Sequence, residues 1–118
     1  MAYDLLGNQP TANVGTRFRM AVIGWPLLVD VLLKFAPEEC RPCAERYGES
    51  CYGLGLDAEQ ALRLAAKLDS RISDETIPDY LAELVREQER TCGEAWIYPA
   101  DLFDFVTFLK SCGGFRIT

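Results

Sequence analysis

The 118-residue chain contains no histidine. That absence excludes Ser-His-Asp triads, Cys-His dyads and histidine-liganded catalytic zinc. Its nine glycines never form Gly-x-Gly-x-x-Gly or a Walker loop, so the usual phosphate cradles are missing too. A general acid or base would have to be a carboxylate, lysine, cysteine or tyrosine, and the balance leans away from an enzyme. Long hydrophobic runs are also lacking. Residues 20–36 are the most apolar stretch, but Arg19, Asp30 and Lys34 bracket and interrupt it, and Pro26 breaks it. It falls short of the roughly 20 apolar residues a membrane span needs, and no segment has the build of a signal peptide. Five cysteines make an odd number, so a disulfide framework is not expected and reduced thiols in a cytoplasmic setting are.

Basic residues are the minority, 12 against 18 acids, for a net charge of -6. Residues 1–56 carry six acids and five bases, and residues 57–118 carry twelve and seven. The second half would repel a phosphate backbone or an anionic membrane and attract a basic protein surface. Apolar residues at 49% and charged residues at 25% fit an ordinary globular core, and the length fits one domain spanning 1–118.

Hydrophobic spacing predicts four principal helices. Gly24-Trp25-Pro26 starts the first, with Leu27, Leu28, Val31, Leu32 and Phe35 at helical spacing and Pro37 closing it. Asp57 and Gln60 form a capping box for the second, whose apolar stripe is Ala61, Leu64, Ala65, Leu68 and Ile72. Ser73 or Asp74 starts the third, with Ile77, Tyr80, Leu81, Leu84 and Val85 inward and Cys92-Gly93 at its end. Pro99 opens the fourth, apolar nearly all round and therefore central, with Gly113-Gly114 as its cap.

Residues 1–16 are rich in turn formers and read as an extended arm. Residues 37–56 read as an irregular loop that a short helix near residues 44–47, or a bound metal, would organise. The expected fold is thus mostly α, a compact four-helix domain. At most a short two-stranded β element joins residues near 18–23 and 115–118.

Two features carry candidate chemistry. Asp79, Glu83 and Glu87 stack at i,i+4 as an acidic ridge, and Trp96 and Tyr98 follow in the next linker. Together they make a candidate partner-binding surface. Cys40-Arg41-Pro42-Cys43 has three readings. As thiol redox, residues 29–43 resemble a thioredoxin active-site segment, but the position before the first cysteine holds Glu39, which would raise the thiol pKa. As structural zinc, Cys40, Cys43, Cys51 and Cys92 would supply four thiolates. As free thiols, these cysteines and Cys112 are small buried hydrophobes, which is the preferred reading.

The run YPADLFDFVTFLKSCGGFRI resembles the ending of an uncharacterised family of small helical proteins encoded in bacterial and phage genomes. The matching positions are Tyr98, Pro99, Phe105, Phe108, Leu109, Ser111, Gly113, Gly114 and Phe115. Upstream, GTRFRMAVIGWPLLVDVL and GLGLDAEQALRLAAKL resemble the same family's other segments. The resemblance implies a shared fold and assigns no activity. Charge and the missing catalytic groups point to a non-enzymatic acidic domain. It would bind a basic protein surface as an inhibitor, immunity or anti-defence protein, the alternative being a cysteine-based protein.

Overall fold

The structure, a computed structural model, describes residues 2–44 and 53–118. In chain order the elements are β1 (Ala2–Gly7), a 3-10 turn (Asn13–Gly15), β2 (Arg17–Ala21), α1 (Trp25–Phe35), α2 (Pro37–Ala44), β3 (Gly55–Asp57), α3 (Ala58–Ser73), α4 (Thr76–Cys92), α5 (Pro99–Ser111) and β4 (Gly114–Ile117). The chain is mostly helical, and its described residues form five α-helices and a four-stranded antiparallel sheet of order β2-β1-β4-β3.

The four expected helices are present. α3 carries the capping box at its start: Asp57 Oδ1 accepts from the Gln60 N–H at 2.8 Å, and Gln60 Oε1 accepts from the Asp57 N–H at 2.9 Å. α4 starts later than expected, at Thr76. The intervening Glu75 is left-handed (φ 70°), and Asp74 Oδ1 accepts from the Thr76 N–H at 2.9 Å. Gly93 ends α4 in the left-handed region that the sequence called for.

The expected loop of 37–56 is corrected at both ends, where 37–44 form α2 and residues 55 and 56 belong to β3. Pro37 ends α1 and also opens α2, because proline is suited to a first helical turn. Ala36 supplies the break between the two helices with extended φ. Pro42 lies inside α2, where its ring removes one backbone donor; periodicity could not reveal a helix of eight residues interrupted that way. Of the short helix expected near residues 44–47, only Ala44 lies among the described residues.

The β prediction is corrected more deeply. β2 and β4 do not pair; β1 lies between them, and β3 extends the far side. The supposed arm is therefore an interior strand. Its turn formers begin only at Gly7, and the strand before them is short enough that its identity depends on partners distant in sequence.

Pairing is regular along β1. The Gly7 N–H donates to Thr16 O at 3.0 Å, whereas the Asp4 N–H and the Thr118 N–H exchange bonds with each other's carbonyls at 3.3 and 2.8 Å. Odd residues of β1 thus face β2 and even residues face β4. Side chains alternate likewise. Leu5, Phe18, Met20, Phe115 and Ile117 are buried under the helices, and the outer face carries Asp4, Leu6, Arg17, Arg19 and Arg116.

Between sheet and helices sits an aromatic cluster. Phe105 and Phe108 of α5 meet Phe18 at 5.2 and 6.0 Å and Phe115 at 6.4 and 5.8 Å between ring centroids. Trp25 packs edge-on to Phe105 at 6.4 Å. The expected central helix is therefore central, although Phe103 on its far side is exposed. Gly114 turns the chain from α5 into β4 at φ 86°, with backbone atoms of residues 56–58 lying 2.9 Å from where a Cβ would sit.

Two truncations grade these contributions in urea denaturation. Phe105→Ala should cost about 3–5 kcal/mol, because its cavity opens between the rings of Phe18, Trp25 and Phe115. Asp57→Ala should cost about 1 kcal/mol by freeing the N-terminus of α3. A smaller loss at Phe105 than at Asp57 would show that the cluster does not hold sheet to helices.

Candidate functional site

α4 is amphipathic, so burying one stripe fixes what it shows to solvent. Ile77 and Leu81 point into the core and Asp79, Glu83 and Glu87 point out. The ridge is laced rather than bare: Arg86 and Glu83 pair at 2.5 Å, as do Arg90 and Glu87. All four side chains are more than half exposed, so each pair contributes only about 0–1 kcal/mol and can be exchanged for another cation.

Beside the ridge the half-buried Tyr80 and Leu84 make an apolar strip. Tyr80 stacks edge-on against Phe35 at the end of α1, with ring centroids 5.4 Å apart. Lys34 Nζ lies 5.2 Å from the Tyr80 centroid and 5.8 Å from that of Phe35, placing a cation over the pair. Tyr80, Glu83, Leu84 and Glu87 enclose a shallow cleft of ≈ 220 Å³ with an apolar floor and an acidic rim.

Trp96 and Tyr98 lie toward the other end of α1. Gln88, a buried polar side chain of α4, accepts from the Trp96 N–H at 3.0 Å and anchors the linker to the helix. The Trp96 carbonyl packs on Gly24 at the start of α1. Trp96 is half-buried, so its ring is only partly available, whereas Tyr98 is 47% exposed. Asp101 accepts from the Tyr98 N–H at 2.8 Å and starts α5. Glu83 and Glu87 thus line an acidic cleft at the Phe35 end, Asp79 is exposed on α4 outside that lining, and Trp96 and Tyr98 belong to a separate aromatic corner toward Gly24.

The cysteines are placed differently from one another. Cys40 and Cys43 lie on successive turns of α2, both buried; the Cys43 thiol donates to Cys40 O at 3.1 Å and the Cys40 thiol to Pro37 O at 3.8 Å. Cys92 is exposed at the end of α4, Cys112 is buried, and Cys51 lies outside the described residues. Among the described residues no three His, Cys, Asp or Glu side chains converge as a metal site. Burial, aided by the Glu39 carboxylate, pushes the Cys40 thiol up to about 11. That is the reverse of what an attacking thiolate requires.

Sequence reasoning missed two features. One is the Tyr80–Phe35–Lys34 stack, which joins helices distant in sequence. The other is the basic outer face of the sheet, with Arg17, Arg19 and Arg116 around Asp4, and Arg17 Nε 3.1 Å from Asp4 Oδ1. The period-two pattern of Arg17, Phe18, Arg19 and Met20 is the signal that could have found it.

Peptide mapping after alkylation should find Cys92 labelled quickly and Cys40, Cys43 and Cys112 only at the rate of global opening. Cys40 also sets a pH dependence. The folded state keeps its thiol neutral where the unfolded chain ionises, so its contribution is complete below pH 9.0 and is lost as pH rises through about 11. Cys40→Ala should flatten that part of the alkaline decline in urea midpoints. Rapid Cys40 labelling in folded protein would contradict both expectations.

Among the described residues no helix is long and apolar enough to cross a membrane. Comparison of the chain with protein-family models, with curated proteins and with solved structures gives no match.

Proposed function

We infer that this protein is a non-enzymatic binding domain whose α4 face covers a basic surface on a protein target, as an inhibitor, immunity or anti-defence protein would. The observation that carries the reading is the cleft of Tyr80, Glu83, Leu84 and Glu87. Its floor suits the aliphatic stem of a lysine or arginine, and its rim suits the charged head. The rim carboxylates already hold Arg86 and Arg90, so a target cation would replace a weak exposed partner rather than meet a desolvated charge. The charge imbalance of the second half of the chain would speed encounter with a basic target. Tyr98, exposed at the other end of α1, would extend the footprint with a rigid amphipathic side chain.

The reading is tested by capture of a target from host lysate with tagged protein at low salt, followed by titration of the purified pair. Affinity should fall steeply as salt rises through the range where surface charges are screened. Glu83→Lys combined with Glu87→Lys should weaken it at least tenfold, about 1.4 kcal/mol. Tyr80→Ala should weaken it without changing the salt dependence, because it removes floor and not charge. A target bound equally well by the double variant at every salt concentration would refute the acidic-face reading.

A further inference from the structure

Away from the α4 face, one edge of β2 is open among the described strands. β2 pairs only with β1 among the described strands. The alternation along β1 places the Thr16 carbonyl and the backbone groups of Phe18 and Met20 toward β1. It therefore turns the N–H and C=O of Arg17 and Arg19 to the side where no described strand lies. Ala21 ends this free edge, because its carbonyl accepts from the Gly24 N–H at 3.0 Å.

The edge opens onto a groove rather than a flat surface. A cavity of ≈ 310 Å³ runs between β2 and α5, with Val14 and Phe18 on the strand side and Asp101, Asp104, Thr107 and Phe108 on the helix side. Phe18 and Phe108 are nearly buried and give the groove an apolar floor, and Val14 is 51% exposed at its rim. An extended segment laid here would find backbone partners along one side and a helix along the other.

Charge selects the occupant. A strand added to β2 points alternate side chains to the outer face of the sheet, beside Arg17 and Arg19. Across that face three guanidiniums surround one carboxylate, Asp4, which already holds Arg17. A second copy of β2 is disfavoured. Residues opposite each other in a strand pair share a face, so Arg17 and Arg19 of one copy would meet arginines of the other. Acidic side chains in that row would instead be directly opposite the guanidiniums. The other row would lie over Phe18 and Phe108 beside the carboxylates of Asp101 and Asp104, which repel acidic side chains there and leave apolar ones to fit. We propose that the β2 edge takes an extended segment of a partner protein, alternating acidic and apolar residues, as a fifth strand of the sheet.

The test uses two fluorescein-labelled synthetic peptides of about ten residues, one alternating aspartate with valine and one alternating lysine with valine, titrated into the full chain by anisotropy. The aspartate peptide should bind about tenfold more tightly, the effect of exchanging two like-charge cross-strand pairs for two opposite-charge pairs. Arg17→Gln with Arg19→Gln should erase that preference. Arg19→Pro removes a donor that faces the open edge and no ladder bond, so the fold should survive, as circular dichroism would verify, while binding of both peptides is lost. Glu83→Lys with Glu87→Lys should leave the aspartate peptide's affinity unchanged, which separates this edge from the α4 face. Equal affinity for the two peptides, or undiminished binding by folded Arg19→Pro, overturns the proposal. Sedimentation that shows a dimer lost in Arg19→Pro would overturn it in favour of a second copy.

Discussion

The contact on which both surfaces depend is the wedge of Phe105 and Phe108 between Phe18 and Phe115. α5 is the element that touches the sheet through these rings and α3 through its other side, where Lys110 Nζ reaches Asp69 at 2.6 Å. That ion pair is half exposed and adds little; the rings bury fully and do most of the holding. The wedge also sets the geometry of the two proposed surfaces. It fixes the distance from α5 to β2, and so the width of the groove between them. Through Trp25, edge-on to Phe105, it seats the start of α1, against which the Trp96 linker packs.

Helices were legible because their signals are local. The stripe Ala61, Leu64, Ala65 and Leu68, the Asp57–Gln60 box and the Gly93 stop each lie within a few residues of what they specify. β1 was not legible because its evidence is in residues 17–21 and 114–118, whose partnership no local pattern records. α2 was hidden for a different reason. Two prolines, at 37 and 42, read as loop chemistry although the first occupies a position where proline favours a helix.

The candidate residues were legible in kind and only partly in arrangement. Spacing of four placed Asp79, Glu83 and Glu87 together on α4, as the helix demands. It could not say that Tyr80 would turn sideways onto Phe35, since that stack depends on how α1 and α4 meet. Nor could it say that Trp96 would be held by its backbone to Gln88 and half covered, leaving Tyr98 as the exposed ring. For Cys40 the burial decides its chemistry, and burial followed from a helix that the sequence had not revealed.

Net charge is a poor guide to what a protein of this size attracts, because the fold sorts charge by face. The chain is acidic overall, yet the alternation of β2 and β4 puts Arg17, Arg19 and Arg116 on one side of the sheet while the carboxylates of α4 lie on the helical side. At a Debye length of roughly 8 Å in physiological salt, a partner touching one face is largely screened from the other. Each face therefore acts by its own sign. Exclusion of polyanions argued from total charge holds for the helical half and weakens at the sheet. There, the row of arginines would also oppose edge-to-edge pairing of two copies. The same residues that protect an open strand from its own kind leave it complementary to an acidic one.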